Sequence, residues 1–407
     1  TTQSGGRTIN CNGNCGTVFK LTPPAKGQTA WNEIVLYRFT GGNDGSEPVA
    51  GLIADKEGAL YSTTAFGGTG TGTVFKLTPP AKGQTAWKET VLYRFTGGSD
   101  GIEPRAGLLA DKEGALYGTT QSGGGTINCN GNCGTVFKLT PPAKGQTVWE
   151  ETVLYSFCSL SNCSDGNAPF AGVMLDDQGA LYGTTQLGGI DNAGTVFKLT
   201  PPSKGQTAWK ETVLYSFTGG SDGANPQGNL IADMEGTLYG TTYAGGGKSS
   251  GTMFKLTPPA KGQTGWKETV LYSFCALSSC VDGNHPPAGL IADREGALYG
   301  TTVGGGINPG SNGGGTVFKL TPPSEGQTAW KETVLYSFTG GSDGAAPQAG
   351  LIADKHGALY TTTVAGGSGS FGTVLKLTLC PEPSGRDWRE KDDDRDRDRC
   401  PAFTPEK

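Results

Sequence analysis

Ten cysteines, two histidines, twelve aspartates that recur at fixed places and six recurring tryptophans are the residues whose types and spacing could do chemistry in this chain. The cysteines fall into local pairs: Cys11 with Cys15, Cys129 with Cys133, Cys158 with Cys163, Cys275 with Cys280, and Cys380 with Cys400. Zinc takes four clustered ligands, yet His285 is the one histidine near any pair, which favours disulfides over a metal site. Their placement agrees. The usual loop after a Ser-Phe or Arg-Phe strand end puts four residues before its Asp-Gly, as between Phe217 and Asp222. Two copies have seven, and Cys158/Cys163 and Cys275/Cys280 bracket the added residues. The Cys-Asn-Gly-Asn-Cys segments at 11–15 and 129–133 likewise occur where a Thr-Thr to Gly-Thr loop is enlarged, and Cys380 with Cys400 would close the C-terminal tail. Local disulfides imply an oxidising compartment.

Asp44, Asp100, Asp165, Asp222, Asp282 and Asp343 recur once per unit, as do Asp55, Asp111, Asp177, Asp233, Asp293 and Asp354. Hard cations take clustered oxygens, so calcium is the ion such acids could hold. Their glycine neighbours mark turns, where aspartate caps backbone N–H groups instead. His285, in a loop, and His356, replacing the Glu of a hairpin turn, read as solvated turn residues rather than bases. Trp31, Trp87, Trp149, Trp209, Trp266 and Trp330 could each offer an indole to a sugar ring; packing against the Pro-Pro loop is the commoner fate. Catalysis needs a few unlike residues at one place, whereas this chain repeats the same residues in each unit. No catalytic or cofactor-binding residue is assigned, and no enzyme is expected.

The elements that position these residues are copies of one unit. Gly-Thr-Val-Phe-Lys-Leu-Thr or a near variant starts at Gly16, Gly72, Gly134, Gly194, Gly251, Gly315 and Gly372, in steps of 56 to 64 residues. In the unit from Gly107 to Gly172 four runs read as strands, starting at Gly107, Ala115, Thr135 and Trp149, each ended by turn residues. Asp111-Lys112-Glu113-Gly114 makes a tight hairpin, and Pro141-Pro142 ends the third strand because proline cannot extend a ladder. The Trp strand places Trp149, Glu151, Val153, Tyr155 and Phe157 on one face and Thr152 and Leu154 opposite. Such a strand needs cover on both sides, which radial stacking of four-stranded meanders provides. The fold class is therefore all-β, a β-propeller of four-stranded antiparallel blades with disulfide-stapled loops. A linear stack would need end caps that the sequence does not show.

The pattern Asp-Gly-x-x-Pro-x-Ala-Gly-Leu-Ile-x-Asp-x-x-Gly-x-Leu-Tyr-Gly-Thr-Thr-x-x-Gly-Gly, followed by Gly-Thr-Val-Phe-Lys-Leu-Thr, resembles the bacterial choice-of-anchor (GloVer) tandem repeat. Residues 343–378 match it apart from Thr361 for glycine and Leu375 for phenylalanine. The resemblance covers residues 1 to about 379 and implies an exported bacterial protein, often surface-anchored, with a propeller-like fold and no known catalytic residues.

Counting strands by type gives 25, six blades and one strand more. Either the two chain ends share a sixth blade and the strand from Thr373 to Thr378 is surplus, or that strand belongs to an incomplete seventh. Exposed strand edges pair with other chains, so the C-terminal strand or tail is expected to dock on a second copy, head to tail, and build a fibre. The propeller spans residues 1–379, and a charged tail occupies 380–407. From Arg386 to Arg399 that tail alternates acids and bases around Trp388, the pattern of a solvated segment held by Cys380 and Cys400, with Trp388 free to anchor it on the last sheet.

The net charge of -5 is spread thinly over 407 residues, which predicts neither nucleic-acid nor anionic-membrane binding. No apolar run approaches the ~20 residues of a membrane helix. The opening Thr1-Thr2-Gln3-Ser4-Gly5-Gly6 repeats Thr119 to Gly124, so the chain starts inside a unit, as a processed or partial sequence would. The protein is thus expected to be extracellular or on the cell surface, non-catalytic, and structural or adhesive; the alternative is a lectin-like propeller.

Overall fold

The computed structural model describes residues 1–6, 15–28, 30–126, 133–307 and 313–379. Among them are 25 strands, numbered β1 to β25 in chain order, and no α-helix. The strands form seven antiparallel sheets. Five are complete four-stranded meanders: β3–β6 (residues 53–94), β7–β10 (109–156), β11–β14 (174–216), β15–β18 (231–273) and β19–β22 (291–337). The other five strands, one blade and one strand over, sit at the chain ends. β1 (Thr17–Thr22) pairs with β2 (Asn32–Arg38), and β23 (Ile352–Ala353), β24 (Leu359–Thr362) and β25 (Val374–Leu377) form a three-stranded sheet. The strand counted as surplus is therefore the third strand of the last sheet, in register with β24 from Leu359 opposite Leu377 to Thr362 opposite Val374.

In the second complete sheet the strands are β7 (Leu109–Ala110), β8 (Leu116–Thr120), β9 (Thr135–Thr140) and β10 (Glu150–Ser156). The innermost strand is only two residues long. β10 does not alternate along its whole length. Val153 lies opposite Phe137 and Tyr155 opposite Val136, which leaves Leu154 in a bulge. The extra residue shifts the phase of the side chains, so Leu154 is buried in the same cluster as Phe157 instead of facing away from it. The bulge recurs in the first sheet and in all five complete ones.

Both faces of each sheet are covered by neighbouring copies. Phe39, Phe95, Phe157, Phe217 and Phe274, just past the outermost strands, are almost wholly buried against Phe75, Phe137, Phe197, Phe254 and Phe318 of the following sheets, edge-on in the first four pairs and tilted in the fifth, with centroids 5.0 to 5.1 Å apart. Burial of each ring stabilises by roughly 1.5–3 kcal/mol, and the edge-to-face contact adds about 1 kcal/mol. The ring closes where Trp31 of the first sheet meets Tyr360 of the last, centroids 6.4 Å apart.

The recurring glycines and prolines belong to the same seams. Gly134 has φ +85°, and a Cβ there would strike the Thr120 carbonyl and lie 2.5 Å from Cδ of Pro169 in the next sheet. Gly-Thr-Val-Phe and Asp-Gly-x-x-Pro are therefore two halves of one contact between sheets. The paired threonines close each sheet's corner: Thr120 and Thr135 hydroxyls are 2.9 Å apart, and the same pair forms in all seven sheets.

Candidate functional site

The two aspartate series hold two different turns. Asp111 Oδ1 accepts from the N–H groups of Glu113 and Ala115 and Oδ2 accepts from the Tyr117 hydroxyl, at 2.8 to 3.1 Å. Asp55, Asp233, Asp293 and Asp354 do the same. In the third complete sheet this place belongs to Asp176, which bonds Gln178, Ala180 and Tyr182. Asp177, expected there from sequence, occupies the position of Lys112; the capping residue is Asp176, which stands three residues before Gly179 as Asp111 stands before Gly114.

The second series lies deeper. Asp100 is buried and accepts from the N–H and hydroxyl of Thr96 and from the Tyr93 hydroxyl, at 2.7 to 3.0 Å. In the two cysteine-bracketed loops the threonine is replaced: Asp165 accepts from Ser159 N–H, Leu160 N–H and Tyr155, and Asp282 from Ala276 N–H, Leu277 N–H and Tyr272. Burial, with the adjacent aspartate, pushes each of these tyrosine hydroxyls well above its ordinary range.

A third acid completes each seam. Glu89, Glu151, Glu211, Glu268 and Glu332 lie on the outermost strands, each with Oε1 shielded from solvent and without a hydrogen-bond partner among the described residues. Desolvation, then the negative charge of Asp44, Asp100, Asp165, Asp222 or Asp282 in the preceding sheet, raises these carboxyls to about 7, and to about 8 at Glu211. At Glu89 the charge of Arg94 opposes the rise. Each Tyr-Asp-Glu seam can thus hold a proton near neutral pH. Sequence inspection placed Glu151 on the apolar face without drawing the consequence; an acid between Trp149 and Val153 was the available signal.

Cys158–Cys163 and Cys275–Cys280 are disulfides, each spanning a short 3-10 turn at Ser161–Cys163 or Ser278–Cys280. Cys15 and Cys133 are also disulfide-bonded; the partners assigned to them, Cys11 and Cys129, lie outside the described residues, as do Cys380 and Cys400. Among the described residues, the group of three potential metal-ligand atoms within 4.8 Å of one another is Cys133, Cys158 and Cys163, whose sulfurs are in disulfides.

The six tryptophans are half-buried at the seams. Trp330 packs edge-on against Tyr239 of the preceding sheet, and Trp149, Trp209 and Trp266 join the clusters of Tyr61, Tyr117 and Tyr182. Trp87 packs against the cluster of Phe39 and Phe75. His285 is not a solvated turn residue: it stacks on Tyr243 at 4.9 Å, its Nδ1 lies 2.9 Å from the Tyr243 carbonyl, and its φ is +55°. His356 is exposed in its turn.

These features define a β-propeller whose repeated polar residues bind its sheets to one another. The chain belongs to the Gloeobacter/Verrucomicrobia repeat family, whose pattern matches residues 1–233 and 128–375. No curated protein matches it. Similar solved structures include an oxidoreductase described as a glucose dehydrogenase from Thermus thermophilus, 19% identical, covering 81% of this chain and 96% of that one at a TM-score of 0.45. A second glucose dehydrogenase is 17% identical, covering 81% and 92% at 0.43, and a third 15% identical, covering 76% and 93% at 0.42. These values are too low to transfer a function.

Proposed function

We propose that this chain is a non-catalytic structural or interaction protein, exported to the cell surface or beyond, whose ring presents its glycine-rich and cysteine-stapled loops to a partner. One observation carries the reading: the acids that recur in every complete sheet are engaged in turns and seams, so the chemistry-bearing side chains serve the ring. Disulfides in the enlarged loops support an oxidising destination, and membership of a bacterial repeat family fits it. The packing of the tryptophans on neighbouring tyrosines weighs against the lectin-like alternative, since sugar stacking needs an open ring face. A fibre built through the C-terminal strand would need the outer edge of β25, for which the chain's own C-terminal tail competes.

The test combines turnover and binding on the full chain. Aldoses with an artificial electron acceptor, and a panel of polysaccharides, are expected to give no turnover. Saturable turnover abolished by one substitution would sink the reading. Glycans are expected to leave the tryptophan fluorescence unquenched; quenching lost in Trp-to-Ala variants would favour the lectin instead. Protease treatment of intact cells is expected to remove the protein.

A further inference from the structure

We infer that the charged C-terminal tail supplies the missing start of the last sheet's outer strand, with Trp388 seated against Tyr299 and Glu390 beside Tyr336 and Asp343. In the five complete sheets a fourth strand pairs with the third; among the described residues none pairs with the outer edge of β25. Beside that edge lies an open groove of about 450 Å³, lined by Asp343, Phe371, Thr373, Val374 and Leu375 among others.

Two places in the seam pattern that no described residue fills identify the occupant. Six tyrosines stand at equivalent places on the second strands. Tyr61, Tyr117, Tyr182 and Tyr239 share a cluster with the tryptophan of the next sheet, and Tyr360 meets Trp31. The cluster of Tyr299, Leu375 and Leu377 contains no tryptophan among the described residues. Separately, five Tyr-Asp pairs face a glutamate of the following sheet, while among the described residues no glutamate bears on Tyr336, which bonds Asp343.

One segment of the chain offers both groups at the required spacing. Every tryptophan in the sequence is followed two residues later by glutamate: Trp87-Lys88-Glu89 and its equivalents, and also Trp388-Arg389-Glu390. From the last leucine of the third strand to the tryptophan is ten residues in six copies, as from Leu320 to Trp330, and eleven from Leu377 to Trp388. The reach is therefore sufficient. By the register of β21 (Thr316–Thr321) with β22 (Lys331–Ser337), in which Leu320 faces Glu332, Glu390 would face Leu377. The added strand ends early, because Asp392, Asp393 and Asp394 replace the Val-Leu-Tyr that continues the other copies. This makes the tail a short latch with a polar outer side, suited to a last strand that has no further neighbour to pair with.

The experiment uses the full chain with a photoreactive benzophenone amino acid in place of Trp388, mixed with an isotopically heavy copy. Crosslinks within one chain to Tyr299 or residues 374–377 are expected. Crosslinks between light and heavy chains would assign the edge to a second copy, and crosslinks scattered elsewhere would leave the tail undocked; either overturns the proposal. In parallel, amide exchange of residues 374–377 is expected to accelerate about tenfold in Trp388→Ala, while residues 316–321 of the last complete sheet are unchanged. Equal exchange in both proteins also overturns it. Glu390→Gln, which keeps the shape, is expected to leave the crosslink in place, guarding against a variant that has simply unfolded.

Discussion

The five seam glutamates show how one side chain can record its position in the fold. Each carries a carboxyl raised from about 4.5 to about 7 or 8 by burial and then by a neighbouring aspartate. Such a group holds its proton more tightly folded than unfolded, so its stabilising contribution is whole below about 4.5 and is lost as pH rises through about 7 to 8. Glu211→Gln is expected to melt with the wild type at pH 5 and above it at pH 9, by roughly 1 kcal/mol or less once solvent screening is allowed for. Equal melting temperatures at both pH values would refute the shift. The turn aspartates behave otherwise. Asp111→Ala removes three hydrogen bonds and is expected to cost about 1–3 kcal/mol in a urea titration. Because its oxygens are already occupied, EDTA or added calcium is expected to leave the wild-type melting temperature within about 1 °C; a larger rise with calcium would revive the ion-binding reading. The turn role of these acids was legible from their glycines. The seam role of the glutamates was not, since it depends on the preceding sheet, about 50 residues away in sequence.

Within an element, the repeat's departures from its own pattern are informative because they come in compensating pairs. Gly118 lies opposite Phe137, and a Cβ at Gly118 would come 2.6 Å from the Phe137 Cζ. In the last sheet Thr361 lies opposite Leu375: the larger residue on β24 is matched by the smaller one on β25. Ser62 opposite Phe75 marks the limit, its hydroxyl turned to the Gly51 carbonyl at 2.9 Å. Leu375→Phe alone is expected to destabilise by about 1–3 kcal/mol through overpacking, and Thr361→Gly added to it is expected to recover most of that loss. A double-mutant cycle in urea measures the coupling, and additive effects would show the two changes to be unrelated. Strand type, order and hairpin positions could be read from the sequence, because turn residues punctuate every run. The bulge at Leu154 could not, since no residue type marks it and it follows from how the outer strand must bend to bring Phe157 onto the next sheet.

At the scale of the whole molecule, the sequence alone left open how 25 strands close, because both endings satisfy the same local pairing rules. β25 takes the third place in the last sheet, and Trp31 packs on Tyr360 as Trp330 packs on Tyr239 of the preceding sheet, so the first and last sheets lie side by side and do not merge into one. This seam differs from the others in one respect: among the described residues, no chain segment crosses it directly. An open array of repeats unfolds approximately as nearest-neighbour units that fray from the ends, whereas a closed ring gives its terminal sheets a neighbour on each side. Trp31→Ala and Trp149→Ala delete the same side chain at equivalent places, yet their consequences should differ. Trp149→Ala is expected to lower the midpoint of a single urea transition, with the chain still holding its two sheets together. Trp31→Ala is expected to open the ring, so that amides of β1, β2 and β23–β25 exchange well before those of the five complete sheets. If both variants lose protection uniformly, closure through Trp31 adds nothing to cooperativity, and the ring is held by its covalent neighbours alone.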